Sequence, residues 1–158
     1  MDGPQALNLR KTPNDMMTGF LHTHHYLAYI VFLMVMLTFG MGLMTWLTQR
    51  ESSPILRRFS AISMSLAHVQ VLLGLVLYYN KLNAMLANNS FGDIMGDNLM
   101  RFHAVEHILA MLVGAIMITV GHIKFKNGHN KDNARHIALF YGLGFILILS
   151  RIPWDRLI

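Results

Sequence analysis

The chain has 158 residues, of which 54% are hydrophobic and 13% are charged, and its mean hydropathy is +0.41. Soluble domains carry about 25% charged residues, so this composition indicates an integral membrane protein with a single domain, residues 1–158. The net charge of +5 is then expected to report topology and contact with anionic lipid rather than nucleic-acid binding, and the lack of cysteine excludes disulfides, iron–sulfur clusters and covalently attached haem.

Four continuous apolar runs predict transmembrane helices at about 19–48, 55–80, 101–124 and 133–152. A membrane-spanning helix needs about 20 apolar residues and a barrel strand about half as many, so the runs favour helices. The polar first nineteen residues lack a signal-peptide pattern, and the first helix is expected to direct insertion. Short connections make neighbouring helices antiparallel, which predicts an all-α, up-down-up-down four-helix bundle in the lipid bilayer.

The connections carry their own signals. Ser53 followed by Pro54 predicts the start of the second helix, with serine as the cap and proline in the first turn. The segment 80–100 is rich in Asn, Gly and Asp, which predicts a loop with a short interfacial turn around Phe91 to Met95. Pro153 and Trp154 predict the end of the fourth helix at the membrane interface.

Basic residues predict the orientation. Seven of them lie in the two short links, Arg50, Arg57, Arg58, Lys124, Lys126, Lys131 and Arg135. The other six are spread over both termini and the 80–100 segment. The positive-inside rule then places both short links in the cytoplasm and both termini in the periplasm of a bacterial inner membrane.

Histidines within the apolar runs indicate a cofactor, because ionisable groups in a membrane span usually have a partner or a function. His68 and His107 are predicted to be the most deeply buried, so they are the first choice for the two axial ligands of a haem b. Gln70 and Glu106 are candidate polar partners nearby, although each points to a different helix face from its neighbouring histidine. Counting along the helices separates the two histidines by about 10 Å in depth, so two other pairs stay open, His25 with His103 and His22 with His107.

Several residue strings accompany these histidines: Leu21-His22, the run Ala67-His68-Val69-Gln70-Val71-Leu72-Leu73-Gly74-Leu75, Arg101-Phe102, Ala104-Val105-Glu106-His107 and Ile152-Pro153-Trp154. With them the chain resembles a family of small bacterial four-helix membrane proteins commonly labelled "cytochrome b". The resemblance covers nearly all four predicted spans and implies the bundle fold and a b-type haem. The functional positions that the resemblance implies in this chain are His22, His68, Glu106 and His107, whereas His25 and His103 depart from the family pattern.

Three functions are compatible with these residues. The first is electron transfer by a bis-histidine haem b that exchanges electrons with quinol or a partner subunit. The second is a zinc, copper or iron site near the outer surface, formed by His22, His25, His103, His107 and Glu106.

The third function is an accessory or scaffold subunit, assembled with other membrane subunits or as a homo-oligomer, whose histidines are satisfied by internal hydrogen bonds. His122, His129 and His136 are expected to be solvated in or beside the basic third link. No motif of a hydrolase or of a phosphate-binding loop is present.

Overall fold

The computed structural model describes residues 13–128 and 133–151, and this part of the chain is helical with no strand. Four long helices and one short helix follow in order: α1 Pro13–Leu47, α2 Pro54–Asn88, α3 Phe91–Gly96, α4 Asn98–Asn127 and α5 Ala134–Ser150. The predicted helices all exist, although several boundaries differ. His129, Lys131, Pro153 and Trp154 lie outside the described residues, so their predicted roles stay predictions.

The link between α1 and α2 forms as its residues predict. Gln49 ends α1 in a left-handed conformation with φ of 53°. Ser53 then caps α2, because its hydroxyl oxygen accepts a hydrogen bond of 3.1 Å from the backbone N–H of Leu56. Pro54 occupies the first turn, where its missing N–H costs no helical hydrogen bond. The predicted serine cap is confirmed.

The expected loop at 80–100 is largely wrong. Helix α2 continues to Asn88, because the stretch from Lys81 to Ala87 contains good helix formers and neither glycine nor proline. Only two residues separate it from α3, which a capping box between Ser90 and Asp93 begins. The short turn predicted around Phe91 is therefore present, as a six-residue helix.

Helix α4 starts three residues earlier than predicted and contains a π-helical turn at Phe102–Glu106. Asp97 caps its first turn by accepting a 2.7 Å hydrogen bond from the backbone N–H of Met100. The π turn inserts one residue into the helical ladder. The carbonyl of Ala104 in this turn accepts a 3.0 Å hydrogen bond from the Tyr78 hydroxyl, which joins α4 to α2.

The four long helices pack side by side: α1 contacts α2 and α5, and α4 contacts the same two helices. Small residues allow close approach at two positions of the seam between α1 and α5. A Cβ on Gly42 of α1 would lie 2.8 Å from Cβ of Ile137 on α5, and a Cβ on Gly142 would lie 2.8 Å from the Phe39 ring. Such close approach through glycine is typical of helices in membranes, where packing rather than water drives association.

Three helices, α1, α2 and α4, are long and apolar enough to cross a membrane. Helix α5 is apolar but has only 17 residues, about 26 Å at 1.5 Å per residue. The hydrocarbon layer is about 30 Å thick. The chain therefore has the make-up of an integral membrane protein, while the fourth crossing, the up-down-up-down order and the orientation stay predictions.

Candidate functional site

His68 lies on the outer surface of the helix packing, beside the seam between α2 and α4. Its side chain is exposed, although it lies 14 residues beyond Pro54, about 21 Å along α2. That position is well inside a span that is apolar enough to cross a membrane. An imidazole at this depth is therefore exposed sideways, on a surface that would face lipid or another molecule.

The hydrogen bonds of His68 fix its tautomer. Nδ1 lies 2.8 Å from the carbonyl oxygen of Met64, and a carbonyl only accepts, so Nδ1 carries the hydrogen. In the neutral ring Nε2 then has a free lone pair. The nearest polar atom is Thr119 Oγ1 at 3.3 Å, but the single hydroxyl hydrogen of Thr119 is committed to the shorter 2.8 Å bond with Ala115 O. Nε2 is thus left as an available ligand atom.

A groove of about 260 Å³ adjoins this nitrogen between α2 and α4. Apart from His68 and Thr119, its lining is apolar: Val71, Leu112, Ala115, Ile116 and Val120. Among the described residues that line the groove, His68 is the only strong metal ligand. The site therefore combines one oriented imidazole with an apolar wall that is open toward the surface of the molecule.

The structure does not bring His68 and His107 together. His68 lies beside Thr119, which is twelve residues beyond His107 on α4, or about 18 Å along the helix. The contacts of Ser60 with His122 and of Tyr78 with Ala104 put the backbone of His68 level with about position 114 of α4, roughly 10 Å from His107, which agrees with the expected depth difference. The two rings have different surroundings, because His68 lines the groove whereas His107 Nδ1 bonds to the carbonyl of Arg151.

A second polar group is formed by His24 of α1 and Gln70 of α2. The Gln70 amide donates a 2.9 Å hydrogen bond to the carbonyl of His24, and its nitrogen lies 3.5 Å from His24 Nε2. Gly74 makes room for the His24 ring, since a Cβ there would lie 3.2 Å from His24 Cε1. Gln70 is thus paired with His24 rather than with His68.

Glu106 forms ion pairs with two arginines. One carboxylate oxygen is 3.0 Å from Arg101 Nε, and the other is 2.8 Å from Arg151 Nη1. The ring of His107 bonds elsewhere, because its Nδ1 donates to the carbonyl of Arg151 at 3.1 Å. Glu106 and His107 therefore fasten the π turn of α4 to the end of α5. Their observed contacts are structural.

The remaining candidate ligands do not assemble into a metal site. His22 and His25 are exposed on α1, and His103 Nδ1 donates to the carbonyl of Leu99 at 2.8 Å. Within residues 13–128 and 133–151 no group of three or more His, Cys, Asp or Glu side chains could hold a metal ion. The predicted site of His22, His25, His103, His107 and Glu106 is therefore absent from the described part of the chain.

His122 differs from its expected solvated state. It is only 9% exposed, and its Nδ1 lies 3.0 Å from the hydroxyl of Ser60 on α2. Ser60 is also joined to α5, because the Tyr141 hydroxyl donates a 2.7 Å hydrogen bond to the carbonyl oxygen of Ser60. A buried polar network thus ties α2, α4 and α5 together near the two short links.

The sequence holds a signal for the His24 cluster. On α1, His24 lies in the same alternating three- and four-residue stripe as the buried Val31, Val35 and Thr38. On α2, Gln70 and Gly74 continue the stripe formed by Ser60, Ser63 and Ala67. His68 lies one position beside that stripe. Such spacing identifies which of several neighbouring polar residues faces inward.

No protein-family model, curated protein or solved structure matches the chain.

Proposed function

We propose that the chain is a small b-type haem membrane protein of an electron-transfer system, and that His68 is the axial ligand it supplies. The observation that carries the proposal is the imidazole of His68, held by Met64 O with Nε2 free at an apolar groove. In a metal-bound histidine, the ring nitrogen that does not bind the metal usually donates its N–H to a carbonyl or carboxylate. This hydrogen bond orients the ring and raises the basicity of the ligating nitrogen.

The surroundings of His68 fit a flat, largely apolar group. Val71, Leu112 and Ile116 would contact the macrocycle, and the small side chain of Ala115 leaves space beside the ligand. A polar ring nitrogen facing hydrocarbon is costly, whereas coordination would satisfy it. The chain's resemblance to four-helix proteins labelled "cytochrome b" also favours this cofactor at His68.

When bound, haem b would supply a one-electron carrier within the membrane. The residues of this chain would hold it, exclude water and set its electron density through the Met64–His68 hydrogen bond. Among the described residues that line the groove, His68 alone would hold the group, so any further protein ligand would come from another membrane subunit or a second copy of the chain. We propose quinol or such a subunit as the electron partner, in a bacterial inner membrane.

The test is a haem titration of the full chain in lipid nanodiscs, followed by the Soret band. Wild type should bind haem b, and His68→Leu should weaken binding at least about a hundredfold because the axial ligand is lost. His103→Leu is the matched control, since His103 makes the same hydrogen bond to a carbonyl four residues earlier but lies outside the groove lining.

A third variant, His107→Leu, separates the present site from the pair first expected. It should retain the Soret band, because His107 does not line the groove and its Nδ1 is bonded to the carbonyl of Arg151. Equal binding by wild type and His68→Leu would refute the proposal. So would loss of the band in a folded His107→Leu protein with binding intact in His68→Leu.

A further inference from the structure

Two buried polar atoms in the His24–Gln70 pair have no hydrogen-bond partner: Nδ1 of His24 and Oε1 of Gln70. They belong to side chains that already contact each other through Gln70 Nε2. A buried polar atom without a partner costs about 1–3 kcal/mol, so native proteins rarely leave one unmatched. Two such atoms in one contacting pair indicate that the cluster has another partner.

The chemistry of that partner follows from the protons. Gln70 Nε2 only donates, so the His24 Nε2 that faces it is an acceptor and the neutral ring carries its hydrogen on Nδ1. The unmatched atoms are then one donor, Nδ1–H, and one acceptor, Oε1. A hydroxyl group is complementary to both, because one oxygen can accept from His24 and donate to Gln70.

The position of the pair favours a neutral ligand. The carboxylate of the π turn on α4, Glu106, is already paired with Arg101 and Arg151. His24 and Gln70 belong to helices that are apolar enough to span a membrane. A hydroxyl bound here is therefore best carried by a lipid-soluble molecule with an apolar body.

We propose that the His24–Gln70 pair binds the hydroxyl head group of a membrane quinol. The choice of a quinol over another membrane alcohol rests on the proposed haem function. Gln70 follows His68 by two residues on α2, which is about 3 Å along the axis and on the opposite face of the helix. A quinol at Gln70 would thus lie across one helix from the groove of His68.

The test uses a short-chain benzoquinol and its dimethyl ether, titrated calorimetrically into the haem-free full chain in nanodiscs under anaerobic conditions. The ether keeps the ring and the tail but has no O–H to donate to Gln70 Oε1. We expect the quinol to bind about tenfold more tightly than the ether, the difference that one hydrogen bond in a buried site supplies. This comparison uses the wild-type protein and does not depend on a variant folding.

The variant arm is Gln70→Met, which at similar volume removes the acceptor together with the 2.9 Å hydrogen bond to His24 O. It should reduce quinol affinity at least about tenfold and abolish the difference in affinity between quinol and ether. Ser63→Ala is its control, because Ser63 also bonds α2 to α1, through Met34 O at 3.1 Å, away from this pair. Equal affinity for quinol and ether, or no quinol binding, would overturn the proposal and assign the two atoms to bound water. Since haem is absent from the assay, that result would leave the His68 proposal standing.

Discussion

Replacing Ser60 by alanine should destabilise the fold more than removing the hydroxyl of Tyr141, although both changes delete one hydroxyl from the same buried network. The Ser60 hydroxyl hydrogen is donated to Arg57 O at 2.9 Å, so Ser60 Oγ accepts from His122 Nδ1–H at 3.0 Å. Alanine leaves that buried N–H without a partner. Phenylalanine at position 141 only deprives Ser60 O of a second hydrogen bond.

The expected magnitudes follow from that difference. An orphaned buried donor costs about 1–3 kcal/mol, and His122 is only 9% exposed. One interhelical hydrogen bond in a membrane protein contributes about 0.6 kcal/mol on average, which is the loss we expect for Tyr141→Phe. Ser60→Ala should therefore lower the free energy of unfolding by about 1 kcal/mol more than Tyr141→Phe.

Unfolding of the purified full chain by a denaturing detergent, followed by circular dichroism, measures the loss of unfolding free energy in both variants. A double-mutant cycle adds His122→Leu, because removal of both partners leaves no orphaned N–H. The double variant should be less destabilised than the sum of the two single variants by about 1 kcal/mol. Strict additivity, or a Tyr141→Phe loss as large as that of Ser60→Ala, would refute the assigned direction of the Ser60–His122 hydrogen bond.

Three further predictions concern packing, charge and pH. Gly42→Leu should lower the free energy of unfolding in the same assay by about 1–3 kcal/mol, because the added Cβ would meet Ile137. Gly40→Leu is the control and should be tolerated, since a Cβ there meets nothing within 4 Å. Glu106→Gln should lower the free energy of unfolding by about 1 kcal/mol and should speed amide exchange at the end of α5. The loss is small because solvent screens the ion pairs, whose arginine side chains are 39% and 41% exposed. Hydrogen bonds from the side chain and backbone of Ser90 hold the pKa of Asp93 below its ordinary 3.8. Asp93 therefore stabilises α3 fully above pH 3.8. Amide protection factors in α3, which are corrected for the intrinsic pH dependence of exchange, should fall as pH falls through the folded pKa of Asp93, but not in Asp93→Asn.

The sequence predicted the helices because length and continuous apolar composition determine them in a membrane protein. It did not predict the end of α2 or the π turn. Asn, Gly and Asp near position 90 indicated a loop, but Lys81 to Ala87 favours helix and the contact of Tyr78 with Ala104 O extends the packing. A π turn depends on such tertiary contacts, and composition carries no signal for it.

Histidine positions were predictable only in part. His22, His24 and His25 occupy one turn of α1, and their order alone does not give the rotation of the helix. The heptad stripe through Val31 and Val35 would have chosen His24 as the inward-facing residue. The pairing of His68 with Thr119 could not be read in the same way, because the register between α2 and α4 depends on both helix boundaries.

The long-range partners of charged and buried groups could not be predicted from the sequence, because they meet only once the helices are packed. Glu106 next to His107 suggested a shared site, yet neighbours in a helix point to different faces. The partners that Glu106 finds are five and 45 residues away, at Arg101 and Arg151. The burial of His122 likewise follows from Ser60, 62 residues earlier, whose role as a partner appears only once α2 and α4 are packed.

The central claim, that His68 presents a free Nε2 to a haem, is tested most directly by the reduced-minus-oxidised absorption spectrum of the full chain purified from haem-sufficient cells. We predict a Soret band that sharpens and shifts on reduction in wild type and in His107→Leu, and none in His68→Leu. A colourless wild-type protein, or a spectrum unchanged by His68→Leu, would contradict the account and favour an accessory subunit without haem.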